Sequence, residues 1–212
     1  MRNSIYGRLL LVGVCLIAGT TSQGQQQQNY LKPGIDVAVV YHPLLAHQVS
    51  NDDFWMQGGS VQLHTMIWHG LGVVADVSGV HESSMNGTGV GLDLVTVTFG
   101  PRYTWAPPCA WSPRVRWSAS HTWSAPALHY ALFGQILAGQ ANGLNGVFPH
   151  PSGATGDEDS LALSIGGGIN VPLQHRLTVR AIEVDWLRTQ LPNGTSNVQN
   201  NLRLGTGLVY RF

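Results

Sequence analysis

Polar and apolar residues alternate with a period of two along most of the chain, and clusters of turn residues interrupt the alternation at intervals. The stretch 161–173 shows it most plainly. Leu161, Leu163, Ile165, Ile169, Val171 and Leu173 share one parity, and Ala162, Ser164, Gly166, Gly168 and Asn170 share the other. Such a strand has one greasy face and one small, polar face. The last stretch repeats it, with Leu202, Leu204, Leu208, Tyr210 and Phe212 set against Arg203, Gly205, Gly207 and Arg211.

Five earlier segments carry the same pattern. Ile35, Val37, Val39 and Tyr41 oppose Asp36 and Ala38. Val61, Leu63, Thr65 and Ile67 oppose Ser60, Gln62 and His64. Leu71, Val73, Ala75 and Val77 oppose Asp76 and Ser78. Val95, Val97, Phe99 and Tyr103 oppose Thr96, Thr98, Gly100 and Arg102, and Leu128, Tyr130, Leu132 and Ile136 oppose His129 and Gln135. One segment breaks parity: Leu177 and Val179 are odd, whereas Ile182, Val184 and Trp186 are even. A β-bulge near Ala181 would restore a single apolar face and bring Arg180, Glu183 and Asp185 to the other.

Eight such strands predict an all-β fold, an eight-stranded antiparallel transmembrane up-and-down β-barrel with lipid outside and a polar lumen within. The connections agree. Trp68-His69-Gly70 and Pro172-Leu173-Gln174-His175 are tight, whereas 43–54, 80–91, 140–159 and 189–200 are long and rich in Gly, Asn, Asp, Ser and Pro. Short turns on one side and long loops on the other describe an outer-membrane barrel whose C-terminus falls on the periplasmic side. One link departs from this. Residues 106–126 replace a short turn, and Trp105, Trp111, Trp117 and Trp123 recur there every six residues with Arg114 and Arg116 between them. The segment is either a periplasmic docking or membrane-surface anchor, since Trp favours the interface, or an insertion with no role of its own.

Composition narrows the class. Only 10% of residues are charged, against about 25% in an ordinary soluble domain, and 26 are Gly. The formal net charge is zero, which gives no electrostatic footprint for nucleic acid. Arg2 and Arg8, the apolar run Leu9 to Ala18, and the small residues Thr20, Ser22 and Gly24 predict a signal peptide over 1–24. A polar leader over 25–33 and a barrel domain over 34–212 follow. Ten apolar residues fall short of the roughly twenty that a spanning helix needs. Cleavage would remove Cys15 and leave Cys109 alone, so no intrachain disulfide is expected.

Trp68-His69-Gly70-Leu71-Gly72-Val73-Val74-Ala75-Asp76-Val77-Ser78-Gly79, Phe99-Gly100-Pro101-Arg102-Tyr103 and the C-terminal run through Asn200-Asn201-Leu202-Arg203-Leu204-Gly205 to Val209-Tyr210-Arg211-Phe212 resemble the small OmpA-like outer-membrane β-barrel family. The resemblance runs from about residue 34 to 212. It implies insertion by the outer-membrane assembly machinery, which would read Tyr210 and Phe212 as its signal, after passage with periplasmic chaperones. It also implies contact with outer-membrane lipids. The Trp-rich 106–126 segment departs from the family, and no room is left for a peptidoglycan-binding domain.

An eight-stranded lumen is just wide enough for side chains to fill. The inward charges Asp36, Asp76, Arg102, Arg180, Glu183, Asp185, Arg203 and Arg211 are therefore expected to pair as a network that locks the barrel. A narrow gated pore through the same charges is the alternative. A lipid-modifying enzyme is the second, for which Ser118, Ser120 and His121 are the nearest candidates, without a Gly-x-Ser-x-Gly elbow. No catalytic, cofactor or metal site is expected: none of the nine His has a second ligand at metal-site spacing, and Asp157-Glu158-Asp159 lacks the spaced ligands of a calcium loop. The expectation is a non-enzymatic, structural or surface-interaction barrel in the outer membrane.

Overall fold

In the computed structural model the β-branched, alternating segments form strands wherever the sequence carries that pattern. It describes residues 33–47, 53–83, 91–107, 114–118, 121–124, 129–150, 153–174, 176–192 and 197–212. The expected signal peptide, and all of the polar leader but Pro33, lie outside the described residues. The strands are β1 (Ile35–His47), β2 (Asp53–Trp68), β3 (Leu71–Glu82), β4 (Leu92–Trp105), β5 (Arg114–Ser118), β6 (His121–Ser124), β7 (Ala131–Leu144), β8 (Phe148–His150), β9 (Gly153–Thr155), β10 (Glu158–Pro172), β11 (Leu177–Thr189) and β12 (Gln199–Arg211).

Eight of these close into a barrel in the order β1-β12-β11-β10-β7-β4-β3-β2, all pairs antiparallel. Each barrel strand pairs with the barrel strands before and after it in the chain, and β1 closes on β12 through pairs such as Val37↔Tyr210 and Val39↔Leu208. The register gives the shear. Stepping from Leu63 through Ala75, Phe99, Ala138, Leu163, Arg188, Asn200 and His47 returns to β2 at Asp53, ten residues from the start. Eight strands with that shear tilt by about 43°. Barrel strands of 12 to 16 residues exceed the roughly 9–11 that a tilted strand needs to cross a bilayer.

Burial follows parity. Along β3 exposed and buried positions alternate from Leu71 to Val80. Val39, Ile67, Val97, Phe99 and Leu161 are exposed on the outer wall, whereas Asp76, Glu183 and Asp185 are fully enclosed. Charge inside and hydrocarbon outside is the reverse of a soluble barrel. Trp68, Tyr103, Trp105, Tyr210 and Phe212 stand exposed at the rim that carries the short turns (the turn rim), and Trp55 and Trp186 lie toward the opposite, loop rim.

The broken parity of β11 resolves as expected. Its register against β12 shifts between Arg180 and Glu183, and Ala181 and Ile182 are both exposed there. The bulge turns Arg180, Glu183 and Asp185 all to the lumen, where each is buried. The β2–β3 turn holds His69 at φ 40 and Gly70 at φ 90. A Cβ at Gly70 would strike the Thr104 carbonyl, so glycine is required there for space as well as for φ.

Three expectations need correction. The link 43–54 is mostly strand, since β1 runs to His47 and β2 begins at Asp53. The link 140–159 holds the end of β7, the β8–β9 hairpin and the start of β10, because pairing continues past the apolar belt wherever two strands stay in reach. The fifth barrel strand begins at Ala131 rather than Leu128. The Trp-rich link itself contains a two-stranded hairpin, β5–β6.

Placing an arginine on the outer wall at mid-strand, as in Val97→Arg, should lower unfolding stability by about 2–4 kcal/mol. Urea titration of the protein folded in phospholipid vesicles would measure it, and an unchanged midpoint would contradict a lipid-facing Val97.

Candidate functional site

The lumen is where the strands bring their polar side chains together. β2 supplies Gln62, β3 Asp76 and Ser78, β4 Arg102, β7 Gln135, β10 Asn170, β11 Arg180, Glu183 and Asp185, and β12 Arg203. Arg203 sits between two carboxylates. Its Nη1 donates to Asp76 Oδ2 at 3.0 Å and its Nη2 to Asp185 Oδ2 at 2.9 Å, with Ser78 Oγ at 3.3 Å from Nη1. Arg180 Nη1 donates to Glu183 Oε2 at 2.9 Å, across the bulge, and Arg180 Nε to Asn170 Oδ1 at 3.2 Å.

Two glutamines join these pairs. Gln62 Nε2 donates to Glu183 Oε1 at 3.0 Å, and its carbonyl oxygen accepts from Arg102 Nη2 at 2.6 Å and also from Arg180. Gln135 Nε2 donates to Glu183 Oε1 at 2.9 Å and to Asp185 Oδ1 at 3.0 Å, while its oxygen accepts from Arg102 Nε at 3.0 Å. The Arg102 and Arg180 guanidinium carbons also lie 4.5 and 4.6 Å from the centroid of the Phe133 ring, within cation–π range. Three arginines and three carboxylates thus share one buried, connected cluster.

The crowding accounts for Gly166 and Gly168 in β10. A Cβ at Gly166 would collide with the Asp185 carboxylate, and one at Gly168 would come within 2.9 Å of the Phe133 ring. Nearby, His42 is fully buried. Its Nδ1 lies 3.2 Å from the Leu204 carbonyl, which can only accept, so that nitrogen carries the proton and Nε2 accepts from Ser60 Oγ at 2.9 Å.

At the turn rim a second group forms. His64 Nδ1 donates to Asp36 Oδ2 at 3.1 Å, and Arg211 Nε lies 3.6 Å from Asp36 Oδ1. A cavity of about 30 Å³ opens beside them, lined by His64, Arg102, Asn170 and Arg180 among others. It has room for one or two waters. Toward the loop rim the lumen is mostly apolar, with Thr189 and Asn201 also buried there. Leu44, Met56, Leu94, Leu187 and Leu191 pack with Phe148, which the β8–β9 hairpin carries inward against Leu92, Gly143 and Gly146.

The structure therefore brings six of the eight expected lumen charges into the central cluster: Asp76, Arg102, Arg180, Glu183, Asp185 and Arg203. Asp36 and Arg211 stand apart at the turn rim. Tyr210 and Phe212 lie on the outer wall at that rim, their rings 5.0 Å apart and edge to face. Ser118 and His121 are opposed in register at the end of the β5–β6 hairpin, and Ser120 lies outside the described residues. Sequence reasoning set Gln62 and Gln135 inward without giving them a role. Their signal was parity shared with Asp76 and Arg102 across neighbouring strands. Asn170 was likewise set inward without a role, and Phe133 and the apolar tier were missed. The tier's trace is that apolar residues occupy both parities near the loop ends, as at Leu44-Leu45 and Leu92, Leu94 and Val95.

No protein-family model matches the chain, and no curated protein does. Among solved structures it is similar to Neisserial surface protein A, NspA, with a TM-score of 0.55 and 10% identity over 84% of this chain and 97% of that one. It is also similar to Ail, the attachment invasion locus protein of Yersinia pestis, in a crystal structure with the heparin analogue sucrose octasulfate, with a TM-score of 0.50 and 15% identity over 85% and 99%. At such identities the shared property is the fold.

Removing one partner of a buried ion pair leaves the others uncompensated, at about 3–5 kcal/mol. Arg203→Met should lower unfolding stability by that amount in detergent-folded protein, and adding Asp76→Asn and Asp185→Asn should return at least half of it. A loss below about 1 kcal/mol would show that the cluster is not what holds the barrel.

Proposed function

We propose that the chain is an integral outer-membrane protein, a closed structural scaffold that holds its long loops at the cell surface. The observation that carries this reading is a barrel with an exposed apolar wall around a filled lumen. On this reading the turn rim faces the periplasm and the loop rim the exterior. Outer-membrane lipids cover the wall. Periplasmic chaperones deliver the chain, and the assembly machinery reads Tyr210 and Phe212. The central charges act as a lock: β2, β3, β4, β7, β11 and β12 are each tied to a strand they do not neighbour in the sheet, as Gln62 of β2 is to Glu183 of β11.

The apolar tier favours a scaffold over a narrow gated pore. An ion leaving the charged centre toward the loop rim would meet Leu44, Met56, Leu94, Phe148 and Leu187, and a constriction of that kind excludes water as well as ions. The expected result in planar bilayers is no single-channel steps at any voltage. Discrete conductance from the intact protein would overturn the scaffold reading in favour of the pore. Heat-modifiable gel mobility of the folded protein tests the barrel itself, and identical migration before and after boiling would count against it.

NspA is described as a surface protein and Ail as an attachment protein, which supports a surface role here. A sulfated polyanion is not the expected ligand of this chain. The loop rim carries Glu82, Asp93, Asp157, Glu158 and Asp159 against Arg188 among the described residues. Immobilised heparin should fail to retain the folded protein at physiological salt, and elution only at high salt would contradict the charge argument.

A further inference from the structure

The central cluster is neutral in sum, with three arginines against three carboxylates, but its charges are not evenly placed. Asp76 and Asp185 both sit on Arg203, and Glu183 sits on Arg180. Arg102 is only 3% exposed, yet among the described residues no carboxylate lies within ion-pair reach of it. Its hydrogen bonds go to two neutral amides, to Gln135 Oε1 from Nε and Nη2 and to Gln62 Oε1 from Nη2. Both glutamines lead on to Glu183, but each interposes a whole side chain between the charges. A buried cation ordinarily has an anion against it.

Arg180 stands close to Arg102. Both donate to the Gln62 oxygen, and their guanidinium carbons lie 4.6 and 4.5 Å from the Phe133 ring centroid. Two like charges that near each other repel strongly in a low-dielectric interior. Both arginines border the cavity of about 30 Å³ on the turn side of the cluster, whereas Asp76, Glu183 and Asp185 do not. Among the described residues no acceptor meets Arg102 Nη1 or Arg180 Nη2, and neither atom is sealed in by protein. Asp36 also lines the cavity, but His64 and Arg211 already hold it. Asp36 and Arg211 are partly exposed at the turn rim, which gives a small ion a way in.

We infer that this cavity is a binding site for a small monovalent inorganic anion, chloride foremost, held between the guanidinium groups of Arg102 and Arg180. Space for one or two waters admits a monatomic ion and excludes phosphate or sulfate. A divalent ion would also exceed the local excess of positive charge. The bound ion supplies the counter-charge that the chain does not place against Arg102, through charge-assisted N–H donors. It also ties β4 to β11, which do not adjoin in the sheet. The site lies within the lumen and serves either orientation of the barrel.

The test is urea titration of the protein folded in phosphatidylcholine vesicles, with chloride replacing gluconate at one ionic strength and pH. Gluconate is too large for the cavity. An ion that binds the folded state alone raises the folded-to-unfolded ratio by about tenfold for each tenfold rise in concentration beyond half-saturation. Bromide should act as chloride does, and sulfate should have no such effect. Arg102→Gln removes the unpaired guanidinium and should abolish the chloride dependence. Ala38→Leu fills the cavity from β1 with every charge in place, and should abolish it as well. Heat-modifiable mobility shows which variants fold, and Ala38→Leu carries the test if Arg102→Gln does not. Wild-type stability indifferent to chloride would overturn the inference and leave the cavity to water. Equal chloride dependence in the wild type and a folded variant would overturn it too, as a general salt effect.

Discussion

Everything in this molecule depends on the pairing of β1 with β12. Inside a membrane no water is available to satisfy an open sheet edge, so a sheet that crosses must close on itself. Closure with eight strands and a ten-residue shear sets the width of the barrel before any inward side chain is chosen. The width leaves space for a single packed layer of residues from facing strands. The lumen is thus subject to much the same rule as a soluble core: its volume must be filled, and most of its buried polar side chains are hydrogen-bonded to one another.

The two demands divide the lumen into tiers. Midway along the barrel, side chains from β2, β3, β4, β7, β11 and β12 converge, which allows arginines and carboxylates to find one another without water. Space there is scarce enough that β10 contributes glycines opposite Asp185 and Phe133. The loop end has fewer converging polar groups, and it is filled by leucine, methionine and phenylalanine instead. The hydrocarbon of this tier needs no hydrogen bonds, although Thr189 and Asn201 are buried at the same end. The interior is thus filled by two tiers of different character, and the two rims are where the barrel meets its surroundings.

Much of this was legible in the sequence because a strand in a barrel wall has one dry, lipid-facing side and one enclosed side. Parity alone set Asp76, Arg102 and Arg203 inward, and the parity break between Val179 and Ile182 located the bulge that gathers Arg180, Glu183 and Asp185. Pairing partners were not legible. Asp76 and Arg203 are 127 residues apart, and only the register around the closed sheet brings them together. The apolar tier was hidden for a related reason. Where both faces of a strand are apolar, as at Leu44-Leu45, alternation fades and the segment reads as a loop boundary, which is why β1 and β2 were expected to end short. The β5–β6 hairpin was obscured by its brevity, since its strands are only four or five residues long.

The rims differ in a way that the barrel's own geometry does not require. At the loop end the described charges are nearly all acidic, and several are held by amides, as Asp159 is by Asn142. At the turn end Arg176 is exposed beside Tyr210, in the company of the exposed Trp68 and Trp105. A symmetric, sealed cylinder would be equally stable in either orientation in a uniform bilayer. Opposite charge at the two ends makes the orientations unequal. The asymmetry is carried almost wholly by segments outside the apolar belt, which are free to vary without disturbing closure, shear or the packing of the lumen.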